Sequence, residues 1–261
     1  MDMLHSVSRY LRYRLLGLSP HGIHSPFVFD LLNKVILDET PYYFYEDIEA
    51  LRSRLLLDNR TISVTDFGTG GSAKSTRKLK VSGIAKNFLQ RKKNAQLISR
   101  LVTHFKPKSL LELGTSLGLT SAYMALPNRQ TQVITVEGCS ETAAIARHNF
   151  ELLGIKNIEL ICGEFNQGLP LALDKTGHLD FVYFDGNHKK EATLKYFESC
   201  LKQHSESSVF IFDDIHWSRE MSDAWTQIKN NPEVTLSLDL FQLGIVFFRK
   251  GIPKQHFILK F

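Results

Sequence analysis

The sequence predicts an α/β fold: a doubly wound, seven-stranded, mostly parallel sheet over residues 94–261, behind a helical and basic N-terminal extension over residues 1–93. Three observations predict it. From residue 94 short apolar runs alternate with stretches whose apolar residues recur at helical spacing. Strands covered on both faces read as such runs, which points to a parallel sheet. The last two runs, 234–240 and 244–249, are too close for a helical crossover and must pair as an antiparallel hairpin. The chain also has the material for a core: 261 residues, 43% hydrophobic and 11% aromatic, enough for one large domain or one domain with an extension.

Taken in order, the extension shows no regular strand–helix alternation. Aromatic and proline punctuation, His21 to Phe27 and Pro41 to Tyr45, brackets expected helices at 27–37 and 45–57. An amphipathic helix is expected at 94–105, then strand 109–113 and helix 119–125. Strand 132–136, helix 141–153 and strand 157–161 follow. Strand 179–184, helix 190–203, strand 208–212 and helix 219–229 lead to the hairpin.

Several classes are excluded. No apolar run approaches the ~18 residues of a spanning helix, so no membrane partner is expected. Residues 1–20 lack the apolar stretch and cleavage site of a secretory signal. The cysteines, Cys139, Cys162 and Cys200, are odd in number, widely spaced and without a CxxC pair. That argues against a disulfide framework or a cysteine zinc site and for a cytoplasmic location.

Charge is uneven. Residues 67–111 contain no Asp or Glu but eleven Lys or Arg, from Lys74 to Lys108; removing those eleven turns the net charge of +5 into −6. A solvated basic face, an acidic substrate or a nucleic acid would each suit such a segment.

The run Leu110-Leu-Glu112-Leu-Gly114-Thr115-Ser116-Leu-Gly118 is a strand, a glycine-bearing turn and a helix start. Glycines let the backbone turn tightly and approach a ligand, and the helix start offers unpaired N–H donors. Three ligands compete for it. A dinucleotide wants G-x-G-x-x-G, but Ser116 stands at the middle glycine. Gly114-x-Ser116-x-Gly118 is also the G-x-S-x-G of a hydrolase elbow, yet no oxyanion loop precedes it. S-adenosylmethionine (SAM) has no pyrophosphate, so two glycines suffice. It needs an acid at the end of the next strand to accept from the ribose hydroxyls; Glu137, followed by Gly138, stands there, 23 residues after Gly114.

Over residues 94–250 these features resemble the class I SAM-dependent methyltransferases, whose sheet is Rossmann-like and seven-stranded. The resemblance makes Glu112, Gly114, Thr115, Ser116 and Gly118 the first cofactor motif and Glu137 the ribose-binding acid. It places Gly163, Glu164 and Phe165 on the adenine side and Asp185 in the fourth motif. A similar-looking stretch, Asp66 to Ser72, is set aside as a glycine-rich turn or lid, because no second parallel strand with an acid follows it.

Asp185-Gly-Asn-His188 ends the fourth strand and Asp213-Asp214-Ile-His216-Trp217 the fifth. Carboxylates crowded at neighbouring strand ends repel one another unless a cation joins them, and oxygen ligands suit Mg²⁺, or Mn²⁺ or Ca²⁺. The pattern is similar to metal-dependent small-molecule O-methyltransferases of the catechol O-methyltransferase type. That resemblance implies Asp185, Asp213 and Asp214 as metal ligands. The catechol enzymes carry a lysine base three residues beyond the fourth-strand Asp; here that place is His188, with Lys189 beside it. His188 is the expected general base and Asp185 its catalytic neighbour. His216 is either a substrate contact or a structural residue. His21, His24, Phe27 and the Pro41–Tyr45 aromatics either cover the active site or pack on the core.

The expected function is thus methyl transfer from SAM to an oxygen of a small molecule, aided by a divalent ion. The alternative is RNA methylation through the basic segment 74–108. That segment lacks interleaved aromatics for base stacking, and the chain lacks the Asn/Asp-Pro-Pro-aromatic motif of base-amine methylation, so a nucleic-acid partner is not expected. A homodimer remains open.

Overall fold

The computed structural model describes residues 3–66 and 75–261. The glycine-rich stretch at 67–74 lies outside the described residues. The chain divides into two compact units, Glu39–Gly177 and a discontinuous one of Met1–Asp38 with His178–Phe261.

In the continuous unit, α3 (Phe44–Leu57) buries Phe44, Ile48, Leu51 and Leu55, an i, i+4, i+7, i+11 stripe. The stripe shares one apolar cluster with Ile84 and Ala85 of α4 (Val81–Phe88) and Leu119, Ala122 and Tyr123 of α6 (Leu119–Ala125). Each such aliphatic or aromatic side chain contributes about 1.5–3 kcal/mol on burial. Tyr42, Phe44 and Tyr45 are therefore packed in or against this unit's core, whereas Tyr43 is exposed.

Between α3 and α4 stands an antiparallel ribbon, β1 (Thr61–Asp66) on β2 (Ser75–Lys80), with Ile62 opposite Leu79. Thr61–Asp66 is thus no parallel cofactor strand. α5 (Lys92–Phe105) buries Ala95, Leu97, Ile98, Leu101 and Val102. Next come three parallel strands in the order β3-β4-β5: β3 (Ser109–Leu113), β4 (Gln132–Glu137) and β5 (Ile158–Cys162). Their connections carry α6 and α7 (Ser140–Leu152), and α8 (Phe165–Thr176) follows β5. α8 is unannounced in the sequence, with Gly168 and Pro170 inside it. Gly168 is needed there: a Cβ would lie 2.5 Å from Val136 Cγ1, so the helix crosses β4 too closely for a side chain.

In the discontinuous unit the strand order is β10-β8-β9-β7-β6. β6 (Phe181–Phe184) and β7 (Val209–Phe212) are parallel; β9 (Gly244–Phe247) runs antiparallel to both β7 and β8 (Leu236–Asp239). The expected hairpin is therefore present. Beyond it β10 (Gln255–Ile258) pairs parallel with β8, a strand that the sequence reading of seven did not include. α9 (Lys190–Leu201) and α10 (Arg219–Asn230) connect the strands, and the Ser218 side chain caps α10 by accepting from Met221 N.

The same unit holds α1 (Met3–Leu16) and α2 (Pro26–Leu31), the latter continuing as a π turn over Leu32–Ile36. Tyr13 Oη donates to Leu259 O at 2.8 Å and accepts from Phe261 N at 2.9 Å, tying the first helix to the last strand. Phe27 lies edge-on to Phe247 under the Arg249 guanidinium, which is ordinary core-edge packing.

Candidate functional site

The turn after β3 is held in a shape that few sequences can adopt. Gly114, Ser116 and Gly118 all have positive φ, 106°, 50° and 83°. Gly114 N donates to Val136 O, and Gly118 N closes the turn on Thr115 O at 2.9 Å. A Cβ on Gly118 would lie 2.6 Å from the Phe150 ring, so this glycine serves both the turn and the approach of α7.

Glu137, at the end of β4, reaches back to that turn. Its Oε2 accepts from Ser116 N at 2.9 Å and its Oε1 from Cys139 N at 2.8 Å. Burial raises its pKa, while backbone N–H groups of Cys139, Ser116 and Gly138 favour the ionised form. Each carboxylate oxygen has two acceptor positions, so lone pairs remain for hydroxyl donors such as a ribose diol. Gly163 N donates to Glu137 O, which sets the Gly163–Phe165 turn beside the acid; nothing lies within 4 Å of where a Gly163 Cβ would be. The sequence-named residues Gly114, Thr115, Ser116, Gly118, Glu137, Gly138, Gly163, Glu164 and Phe165 all fall in one unit. This donor and acceptor set fits SAM.

Beneath the turn lies a buried chain of polar groups. Glu112 has no exposure; its Oε2 accepts from Thr135 Oγ1 at 2.6 Å and from Ser121 Oγ. Thr135 Oγ1 also meets Thr115 Oγ1 at 2.6 Å. Burial raises the Glu112 carboxyl to about 7, against the pull of those hydroxyls, and the nearby Glu137 charge raises it further. Sequence reasoning named Glu112 but missed Ser121 and Thr135. The alternation of polar residues with the apolar run could have exposed them.

The second set belongs to the discontinuous unit. Asp185 follows β6, and its Oδ2 accepts from Tyr183 Oη at 3.2 Å. His188 Nε2 lies 3.7 Å from Asp185 Oδ1. Burial holds His188 below the ordinary histidine pKa, opposed by the nearby Asp214 charge. Asn187, between them, has φ 49°, and its amide donates to Tyr196 Oη at 3.3 Å. His188 borders a small cleft lined by Phe184, Tyr196, Phe212, Asp213 and Met221.

Asp213 N extends the β6–β7 ladder by donating to Phe184 O, whereas Asp214 turns with φ 53°. Among the described residues no group of three or more His, Cys, Asp or Glu is arranged to hold a metal. Asp185, Asp213 and Asp214 share a unit, and the Asp185 carboxyl accepts from Tyr183. His216 has a structural place: its Nε2 meets Asp239 Oδ2 at 2.8 Å and its Nδ1 meets Ser222 Oγ at 3.3 Å. Lys189 is directed to Glu220, 3.7 Å away. The basic segment is divided between β2, α4 and α5, and Arg100 within it is buried.

Comparison with known proteins bears on the fold. Residues 111–215 match the family model of a methyltransferase domain. No curated protein matches the sequence significantly. Among solved structures, an O-methyltransferase from Bacillus cereus in complex with SAH has 17% identity and a TM-score of 0.56, over 85% of this chain and 97% of that one. SAH-bound methyltransferase PaMTH1 of Podospora anserina has 15% identity and a TM-score of 0.56, over 82% and 100%. The O-methyltransferase TomG of Streptomyces achromogenes, in complex with SAM, has 18% identity and a TM-score of 0.54, over 62% and 82%. At these identities the likeness is one of fold. Among the described residues no helix is long and apolar enough to cross a membrane. Residues 111–215 thus match a methyltransferase-domain model, and the chain shares the fold of these solved methyltransferases.

Proposed function

We propose that the protein transfers a methyl group from SAM to an oxygen of a small molecule. The observation that carries this is Glu137 held by Ser116 N and Cys139 N, with the positive-φ turn Gly114–Gly118 beside it. This geometry leaves Glu137 acceptor positions for a ribose diol, and Ser116 stands where a dinucleotide turn needs its middle glycine. Bound SAM would supply an activated methyl on sulfur. The chain's own work is to bind, orient and deprotonate.

Glu112, Gly114, Thr115, Ser116, Gly118, Glu137, Gly138, Gly163, Glu164 and Phe165 hold the cofactor in this reading. His188 is the base. Burial keeps its imidazole neutral at pH values where an ordinary histidine begins to charge, so it is ready to accept a proton. With Nε2 toward Asp185, Nδ1 is the accepting nitrogen. Asp185 then stabilises the imidazolium across 3.7 Å, and Tyr183 Oη holds Asp185. In this reading the proton passes to His188 without a divalent ion; Asp185, Asp213 and Asp214 are the residues that would hold one if it bound.

A screen of hydroxylated acceptors for SAH release tests the reading, with and without chelator. Turnover on a hydroxyl acceptor, retained in chelator and reduced about 10²–10⁴-fold in His188→Ala, is the expected outcome. Turnover that vanishes in chelator and returns with Mg²⁺ would instead assign Asp185, Asp213 and Asp214 to an ion.

A further inference from the structure

α1 is fixed on one side and bare on the other. Its inner face is anchored by Tyr13, buried and bonded to Leu259 and Phe261, and by Tyr10, whose ring lies edge-on to Phe241 at 5.1 Å. Just past the helix, Leu18 bridges to Leu259. The opposite face is therefore held outward. It presents Leu11 and Leu15, one turn apart on one side and 56% and 83% exposed, with Leu16 at 49% beside them.

The flanks of this strip are cationic. α1 contains no Asp or Glu, and it carries Arg9, Arg12 and Arg14. Lys229 of α10 belongs to the same patch. Burial depresses its ammonium pKa, and the Arg12 and Arg9 charges depress it further, while Asp239 opposes both. Asp239 is already engaged by His216 and by Phe241 N.

An apolar strip edged by arginines, without acids, is the pattern of a helix that lies in a membrane interface; it needs none of the length that crossing requires. Leucines would enter the headgroup boundary, and guanidinium groups would meet lipid phosphates. A second copy seated on this face would bring two arginine clusters together at a cost in repulsion. A nucleic acid would leave the leucines in water.

We propose that the outward face of α1 docks the protein on the surface of an anionic lipid membrane, through Leu11 and Leu15 flanked by Arg9, Arg12 and Arg14. None of these residues is among those assigned to methyl transfer.

The test is co-sedimentation of the full chain with vesicles of equal parts phosphatidylcholine and phosphatidylglycerol, against vesicles of phosphatidylcholine alone. The anionic vesicles should bind the protein, the neutral ones far less, and salt should weaken binding. Arg12→Gln should lower the partition about fivefold, the worth of one basic residue near such a surface. The double variant Leu11→Glu with Leu15→Glu should lower it more than tenfold, with its circular dichroism unchanged. If that variant fails to fold, Arg12→Gln combined with Arg14→Gln, both at exposed positions, carries the test. Equal binding by variants and wild type, or no binding to anionic vesicles, would overturn the proposal. So would a concentration-dependent dimer abolished by Leu15→Glu, which would assign the face to a second copy.

Discussion

Glu112 occupies the middle of a fully buried strand, and its carboxyl titrates at about 7 in place of its ordinary 4.5. Between those values the folded chain binds a proton that the unfolded chain has released. Stability from this group is therefore complete below the unfolded value and is lost as pH rises through about 7. The difference is worth about 3 kcal/mol at most. Thermal melts of the wild type should fall in midpoint from mildly acidic to alkaline pH, and Glu112→Gln should flatten that slope. At the end of the next strand, Glu137→Ala leaves Ser116 N and Cys139 N without their acceptor. It should weaken SAM binding at least tenfold, on the scale of a lost hydrogen bond to a charged group. Glu137 was legible in the sequence because an acid closing an apolar strand has a fixed address. The partners of Glu112 were less so, because Ser121 and Thr135 look like ordinary small residues until the helix and strand meet. His216 stayed ambiguous for a similar reason: its partner, Asp239, is far along the chain.

In the proposed reading, the turn between β3 and α6 is the element on which SAM binding rests. Gly118→Ala must place a methyl 2.6 Å from Phe150 and hold φ at 83°. A destabilisation of about 1–3 kcal/mol is expected, measured by urea unfolding, together with weaker SAM binding. Tyr13→Phe removes two hydrogen bonds that tie α1 to the last strand, and about 1 kcal/mol should be lost. Most central elements could be read from the sequence, since buried parallel strands are apolar runs and their helices keep a 3.6 period. α6 lies at the expected residues, and β3 also. α8 was hidden because Pro170 and Gly168 argue locally against a helix that tertiary packing on Val136 sustains. β10 was hidden because a four-residue edge strand flanked by lysines carries little pattern.

At the scale of the molecule, nothing local in the sequence announces that residues 1–38 join 178–261 in one compact unit. That union rests on bonds such as Tyr13 to Leu259, which no periodicity encodes. The charge pattern was legible, yet its use was not: the basic segment is parcelled among three elements, while Arg9 and Arg12 of α1 lie near Lys229. The methyltransferase fold, by contrast, follows from strand order and from one turn set against one acid. Calorimetric titration of the whole chain with SAM tests that central claim most directly, with NAD⁺ as the competing ligand and Glu137→Ala as the control. One SAM per chain, a tenfold or greater loss in the variant and no heat from NAD⁺ is the predicted result. No heat from SAM, or saturable binding of NAD⁺ to the wild type, would contradict it.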